Sequence, residues 1–198
     1  MNNESLPVEL ILASSSKYRK SLLQRLGIPF DCQSPETDES ALPAELPADL
    51  AVRLARQKAA AISARNPGAV VIGSDQLAVF DGQIIGKPGT FEKAFGQLRA
   101  FSGQSVEFLT AVAVQCQDSG FSENHTDHTQ VRFRKFGDAE IERYLEKEKP
   151  FDCAGAFKAE SLGITLFESI ESKDPTALIG LPLIKTAALL RHAGLQIP

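Results

Sequence analysis

Short apolar runs alternate, over the first part of the chain, with longer segments in which apolar residues recur every third or fourth position. That pattern predicts strand 8–13, helix 17–27, strand 30–34, helix 48–65 and strand 69–73, with an acidic, proline-rich loop before the second helix. The spacing then changes. A hairpin through Asp81-Gly82 is followed by helix 90–101, two long strands over 104–116 and 126–135, helix 138–148, strand 164–170 and a C-terminal helical segment over 175–193. Asp81-Gly82 is a two-residue hairpin turn, Gly27 suits a helix end, and Asp174-Pro175 reads as an N-cap with proline in the first helical position. Early alternation of strand and helix implies parallel pairing and the middle implies an antiparallel meander, so the expected fold is α/β with a mixed, twisted sheet and flanking helices. No repeat, low-complexity run or long linker divides residues 1–198, which read as a single domain.

The first strand runs into an unusual continuation, Leu10-Ile-Leu-Ala-Ser-Ser-Ser-Lys-Tyr-Arg-Lys-Ser-Leu-Leu23. A strand, a hydroxyl-rich turn and a helix start bring unpaired backbone N–H groups, the positive end of the helix dipole, serine hydroxyls and the Arg19 guanidinium to one place. Such a place suits phosphate oxygens. The plainer reading is that the serines only cap the helix.

Composition narrows the partners. The 198 residues are 43% hydrophobic and 23% charged, enough for a core without disulfides, and the net charge of −4 argues against a nucleic-acid polymer as partner. No segment has the length of a membrane span and residues 1–10 lack a signal-peptide layout, so the expectation is a cytoplasmic protein without membrane contact. Cys32, Cys116 and Cys153 are widely spaced and odd in number, which suggests buried, inert thiols rather than a disulfide framework or a zinc site.

An anion site needs further groups before it can hydrolyse anything. The run Ala69-Val-Val-Ile-Gly-Ser-Asp-Gln76 is apolar and then turns polar, which places Asp75 at the carboxyl end of a strand, where α/β sheets open onto their ligand crevice. Asp75 is therefore the leading catalytic candidate, against the plainer reading of a turn-forming aspartate. The loop Glu36-Thr-Asp-Glu39 supplies a second acidic point, and two such points suit a hydrated Mg²⁺ that also binds substrate phosphates. Basic residues recur nearby in sequence: Arg53 and Lys58 on helix 48–65, and Lys87 between Gly86 and Pro88. A helical lysine is usually solvated, so Lys87 is the stronger of the two lysines on pattern alone. His125 and His128 lie in a polar stretch without a third ligand and do not suggest a metal site.

Taken together, Ser14-Ser-Ser-Lys-Tyr-Arg19, Asp38-Glu39, Arg53-Leu-Ala-Arg-Gln-Lys58-Ala, Gly73-Ser-Asp75, Gly86-Lys87-Pro88, Cys153-Ala-Gly-Ala-Phe157 and Gly180-Leu-Pro182 resemble the Maf family of nucleoside triphosphate pyrophosphatases. The resemblance runs from about residue 8 to 193, with the motifs in order. It implies an inosine-triphosphatase-like fold of the Maf/Ham1 type, with two lobes around a nucleotide cleft, commonly as a homodimer. It also implies hydrolysis between the α- and β-phosphates with a divalent metal, Mg²⁺ or Mn²⁺. By motif position Ser14, Ser16, Arg19, Lys58 and Lys87 would handle phosphates, Glu39 would support metal or phosphate binding, and Asp75 would be the catalytic acid residue, as general base or as metal ligand. An aspartate near its reference pKa of about 3.9 is a weak base, so burial, a neighbouring acid or the metal would have to assist it.

Branches within the resemblance differ at three positions that correspond to Tyr18, Gln76 and Glu160. An aromatic, Gln and Glu there resemble the 7-methylguanosine triphosphate branch, whereas the thymidine/uridine triphosphate branch carries Arg, Thr and Gln. A methylated purine carries a delocalised positive charge, which favours stacking on an aromatic face by ~1–2 kcal/mol, and Glu160 suits the guanine N1–H and amino group. Tyr18 stands where tryptophan is more usual, and as a weaker cation–π partner it is expected to relax base discrimination, whereas Lys17 stands where proline is often found and either adds attraction for phosphate or is solvated. The alternatives are a pyrimidine-directed or broad-specificity pyrophosphatase, and a nucleotide-sensing protein linked to cell division.

Overall fold

A computed structural model describes residues 9–198. Strand β1 (Leu10–Ala13) leads through helix α1 (Lys17–Gln24) to β2 (Asp31–Gln33), and helix α2 (Pro47–Ser63) returns the chain to β3 (Val70–Phe80). Then follow β4 (Gln83–Ile85), α3 (Phe91–Phe101), β5 (Ser105–Cys116), β6 (Phe121–Phe133), α4 (Asp138–Glu148), β7 (Phe167–Glu171) and α5 (Leu183–His192). The strands form one mixed sheet in the order β2-β1-β3-β5-β6-β7, with β4 on β3. β1 pairs in parallel with β2 and β3, and all the other pairings are antiparallel. The mixed α/β architecture is the one expected. Among the described residues no helix is long and apolar enough to cross a membrane.

Three apolar clusters hold the layers together. Leu22 and Leu23 of α1 and Leu189 and Leu190 of α5 pack with Leu12, Ile72 and Val112 on one face of the sheet. On the other, Ala51, Ala55, Ala59 and Ile62 of α2 pack with Ile11, Val71 and Ala113. Small residues on α2 allow a close approach, which Gly73 extends: a Cβ there would lie 2.1 Å from the Ala55 carbonyl oxygen and 2.6 Å from the Ala59 nitrogen. The third cluster lies toward α3 and α4 and is rich in phenylalanine, with edge-on contacts such as Phe133 to Phe167 at 5.3 Å between ring centres.

Several elements depart from expectation. Val8, the first residue of the expected strand 8–13, lies outside the described residues. β3 does not end at Gly73 but continues to Phe80, because β5 pairs with it from Val71 to Val79 and overrides the turn tendency of Gly73-Ser-Asp75. β6 starts at Phe121 rather than residue 126, since the polar residues there still pair with β5. The strand expected over 164–170 begins only at Phe167, after a 3-10 turn over Leu162–Leu166.

The helix expected over 175–193 is broken: a 3-10 turn over Ala177–Ile179 ends at Gly180 (φ 131°), and α5 starts after Pro182. Asp174 still serves as a cap, but across the break. Its carboxylate accepts from Thr176 N–H at 2.9 Å, the Thr176 hydroxyl at 2.6 Å and Ile184 N–H at 2.7 Å, so one buried aspartate ties the turn to the start of α5. Gly27 (φ 68°) and the Asp81-Gly82 turn (φ 49° and 73°) take the left-handed backbone expected of them.

Candidate active site

β1 accompanies β3 only as far as Ile72, and β4 joins the same edge only from Ala78. Between them residues 73–77 of β3 present an edge with no strand beside it. A cleft of about 540 Å³ opens there, walled by the Ser14–Arg19 turn, the Glu39 loop, α2, the Gly86-Lys87 segment and residues 152–160. Asp75 lies in mid-strand and not at a strand end, yet it faces the cleft because its parallel neighbour has stopped.

Side chains alternate along β3, so Val71, Gly73 and Asp75 face α2. Lys58 lies on the buried stripe of α2, one turn beyond Leu54, and is only 6% exposed. Its ammonium donates to Asp75 Oδ1 at 2.6 Å and to Glu39 Oε1 at 2.5 Å. Gly73 permits this by letting α2 settle against the strand. The Lys58 hydrogen bond is the main reason that the Glu39 carboxyl is held below its ordinary pKa, with Lys87 and Arg19 adding to it against some loss of solvent. Glu39 therefore stays ionised to lower pH than a free glutamate, and the contact weakens only as pH falls through that depressed value.

Arg53, a turn before Lys58, does not line the cleft. It clamps the loop that carries Glu39, donating to both carboxylate oxygens of Glu45 (2.6 and 2.7 Å) and to the Ser40 carbonyl at 2.9 Å.

At the start of α1 the capping reading and the anion reading coexist. Ser16 is the N-cap, its hydroxyl accepting from Arg19 N–H at 3.4 Å, and the Ser14 hydroxyl accepts from Ser16 N–H at 3.1 Å. The N–H groups of Lys17 and Tyr18 find no acceptor among the described residues. Arg19 Nε donates to the Gly180 carbonyl at 3.0 Å, an oxygen that also accepts from the Ser74 hydroxyl at 3.1 Å. Burial lowers the Arg19 pKa, and Asp75 and Glu39 counteract that shift, so the guanidinium is a desolvated cation facing both acids. Lys87 reaches the cleft from an exposed position.

A second group in the cleft is acidic and aromatic. Tyr18 Oη lies 3.4 Å from Asp152 Oδ2, the Cys153 thiol is 3.6 Å from the same hydroxyl, and Lys17 Nζ stands 5.0 Å over the ring. Burial raises the phenol pKa, and Cys153, Asp152 and Glu160 raise it further, which places both acids within electrostatic reach of the ring. Gln76 spends its amide N–H groups on the Thr110 hydroxyl and the carbonyls of Ala177 and Leu178, each at 3.0 Å. Its side chain is thereby fixed, with the carbonyl end unclaimed by any described residue. Glu160 is exposed at the cleft wall.

The cysteines are not uniformly buried: Cys116 is, Cys153 is half-buried and Cys32 is exposed on the edge strand β2. Burial pushes the Cys153 thiol up to about 11, outweighing the Tyr18 hydrogen bond. Iodoacetamide at pH 7.5 should therefore label Cys32 first and Cys153 more than tenfold more slowly. Peptide mass mapping over time checks this, and comparable rates at the two thiols would contradict it.

The ten residues singled out in the sequence (Ser14, Ser16, Tyr18, Arg19, Glu39, Lys58, Asp75, Gln76, Lys87 and Glu160) all line this one cleft. Sequence reasoning missed Asp152, whose only signal was a carboxylate beside Cys153, and the role of the Gly180 carbonyl. Among the described residues no three His, Cys, Asp or Glu side chains are grouped to hold a metal ion by themselves. Glu39 and Asp75 do converge on one cation, the Lys58 ammonium. Two convergent carboxylates fit a hard divalent ion that takes its other oxygens from substrate and water.

The chain is similar to several known proteins. The family described as Maf-like protein matches residues 9–193. The chain is 50% identical over 195 residues to the 7-methyl-GTP pyrophosphatase of Albidiferax ferrireducens, covering 98% of each chain. It is 56% identical over 189 residues to the 7-methyl-GTP pyrophosphatase of Xanthomonas campestris pv. campestris, covering 96% of this chain and 98% of that one. Among solved structures it is similar to a HAM1 protein from Coxiella burnetii, at 17% identity and a TM-score of 0.40, over 64% of this chain and 73% of that one.

Proposed function

The chain belongs to the Maf-like protein family, and we propose that it is a nucleoside triphosphate pyrophosphatase that converts 7-methylguanosine triphosphate to the monophosphate and pyrophosphate. The observation that carries the reading is the charge layout of the cleft. Arg19, Lys58 and Lys87 gather around Asp75 and Glu39, whereas Tyr18 and Glu160 belong to a second group with Asp152 and Cys153 in the same cleft. A triphosphate tail and a cationic purine match that polarity.

Arg19, Lys87 and the amides at the start of α1 hold the phosphates, and Lys58 spreads the charge that builds on them. Asp75 takes a proton from water as the water oxygen attacks the α-phosphorus. The bond from that phosphorus to the α–β bridging oxygen breaks, and pyrophosphate leaves with the electron pair. Because Lys58 is bonded to Asp75 Oδ1, the other carboxylate oxygen is available to the water. Glu39, beside Asp75, would hold Mg²⁺ or Mn²⁺ together with substrate phosphates, and the ion would supply charge neutralisation there. Stacking of the base on Tyr18 and pairing of Glu160 with the guanine edge set the preference, and Gln76 presents a fixed carbonyl oxygen. Such an enzyme clears modified nucleotides from the cytoplasmic pool before they enter nucleic acid.

The test is pyrophosphate release by the purified protein with Mg²⁺ or Mn²⁺, comparing 7-methylguanosine, guanosine, thymidine and uridine triphosphates at equal concentration. The methylated purine should be turned over fastest. A pyrimidine preference would keep the mechanism and overturn the base assignment, while no release from any of the four would leave a nucleotide-binding protein without turnover.

A further inference from the structure

We infer that Asp152 is a specificity-determining residue, one that favours a positively charged base over a neutral one in this cleft. The inference rests on the reaction proposed above. Asp152 lines the cleft directly and its carboxylate sits 3.4 to 3.5 Å from Tyr18 Oη, at the rim of the ring on which the base would stack. The ring therefore has a fixed negative charge at its edge as well as its own negative face. Glu160 lines the same cleft within electrostatic reach of the ring, so a base stacked on Tyr18 meets two carboxylates and one aromatic surface.

Negative charge beside the stacking platform adds to the attraction for an N7-methylated purine and does nothing for guanine itself, which differs there only in charge and a methyl group. Discrimination between the two must come from groups that sense charge. Lys17 opposes this. Its ammonium is 3.7 Å from Asp152 and 5.0 Å from the Tyr18 ring, so it occupies both attractions that a cationic base would use. Both partners are more than half exposed, however, so the pair is weak and the lysine is readily displaced. Lys17, Tyr18 and Asp152 thus form one unit, in which a removable cation holds the place of the substrate's cation.

Two variants test the unit in opposite directions, with kcat/KM measured for 7-methylguanosine triphosphate and for guanosine triphosphate. Asp152→Asn should lower the ratio of the two by about three- to tenfold, mainly through KM for the methylated nucleotide, and Asp152→Glu should restore part of it. Lys17→Ala should raise the ratio. An unchanged ratio in Asp152→Asn, or an equal fall for both nucleotides, would show that Asp152 only supports the local structure and would overturn the inference. Failure of the wild-type protein to prefer the methylated nucleotide at all would instead overturn the function on which the inference rests, so the two failures are distinguishable.

Discussion

Asp75→Asn should lower kcat for pyrophosphate release by a hundredfold or more while nucleotide binding is retained, the usual scale for loss of a positioned base. The substitution keeps the shape of the side chain. Its amide oxygen can still accept from Lys58, the partner now 2.6 Å from Oδ1, so the buried ammonium keeps both of its contacts. What is lost is the ability to take a proton from water, together with one negative charge in a cleft that must hold a polyanion. Binding should therefore persist or tighten slightly. Initial-rate measurements of pyrophosphate release, paired with calorimetric titration of a nucleotide whose α–β bridge cannot be hydrolysed, separate the two effects. Near-normal turnover in the variant would remove Asp75 from the chemistry. Loss of binding together with loss of turnover would make it a structural partner of Lys58 instead.

Local sequence rules account for much of this arrangement, and the departures from them have physical causes. Strand-turn-helix grammar located Ser14, Ser16 and Arg19, because local rules govern a helix start. Gly73-Ser-Asp75 has the local character of a turn, and only pairing with β5, a contact remote in sequence, keeps β3 extended through it. Asp75 was consequently placed at a strand end, and it reaches the cleft for a different reason, the early stop of β1. The break at Gly180 was hidden in the same way. Its cause is the Pro182 position and a cap from Asp174 acting across the turn, not the helical periodicity that runs on through both sides. Lys58 carries a sequence signal beyond a solvated helical lysine: positions 50, 54, 58 and 62 form one stripe of α2, and a lysine in that stripe has to be paired. The base end of the cleft depended on family resemblance alone, since nothing in local pattern brings residue 18 beside residue 152.

Gly73→Ala is the substitution expected to cost the fold most for the smallest chemical change. The added carbon would meet the Ala55 carbonyl oxygen at 2.1 Å and the Ala59 nitrogen at 2.6 Å, both backbone atoms of α2, so no side-chain rotation relieves the collision. Either α2 lifts from the sheet or β3 bows toward the other layer. Overpacking of this kind should destabilise by about 3 kcal/mol, which corresponds to a fall in melting temperature of roughly 6–12 °C for a chain of this size. Lifting α2 also draws Lys58 away from Asp75, two residues along the strand, so turnover in the folded fraction should fall as well. Gly96→Ala supplies the control: that glycine lies inside α3 with nothing within 4 Å of its added carbon, and the change should stabilise by about 0.5–1 kcal/mol through helix propensity. Denaturant titration of both variants against the wild type checks the pair. A Gly73→Ala protein as stable and active as the wild type would mean that α2 is free to shift without disturbing the Lys58–Asp75 contact, and that close packing at this glycine is not what places the lysine.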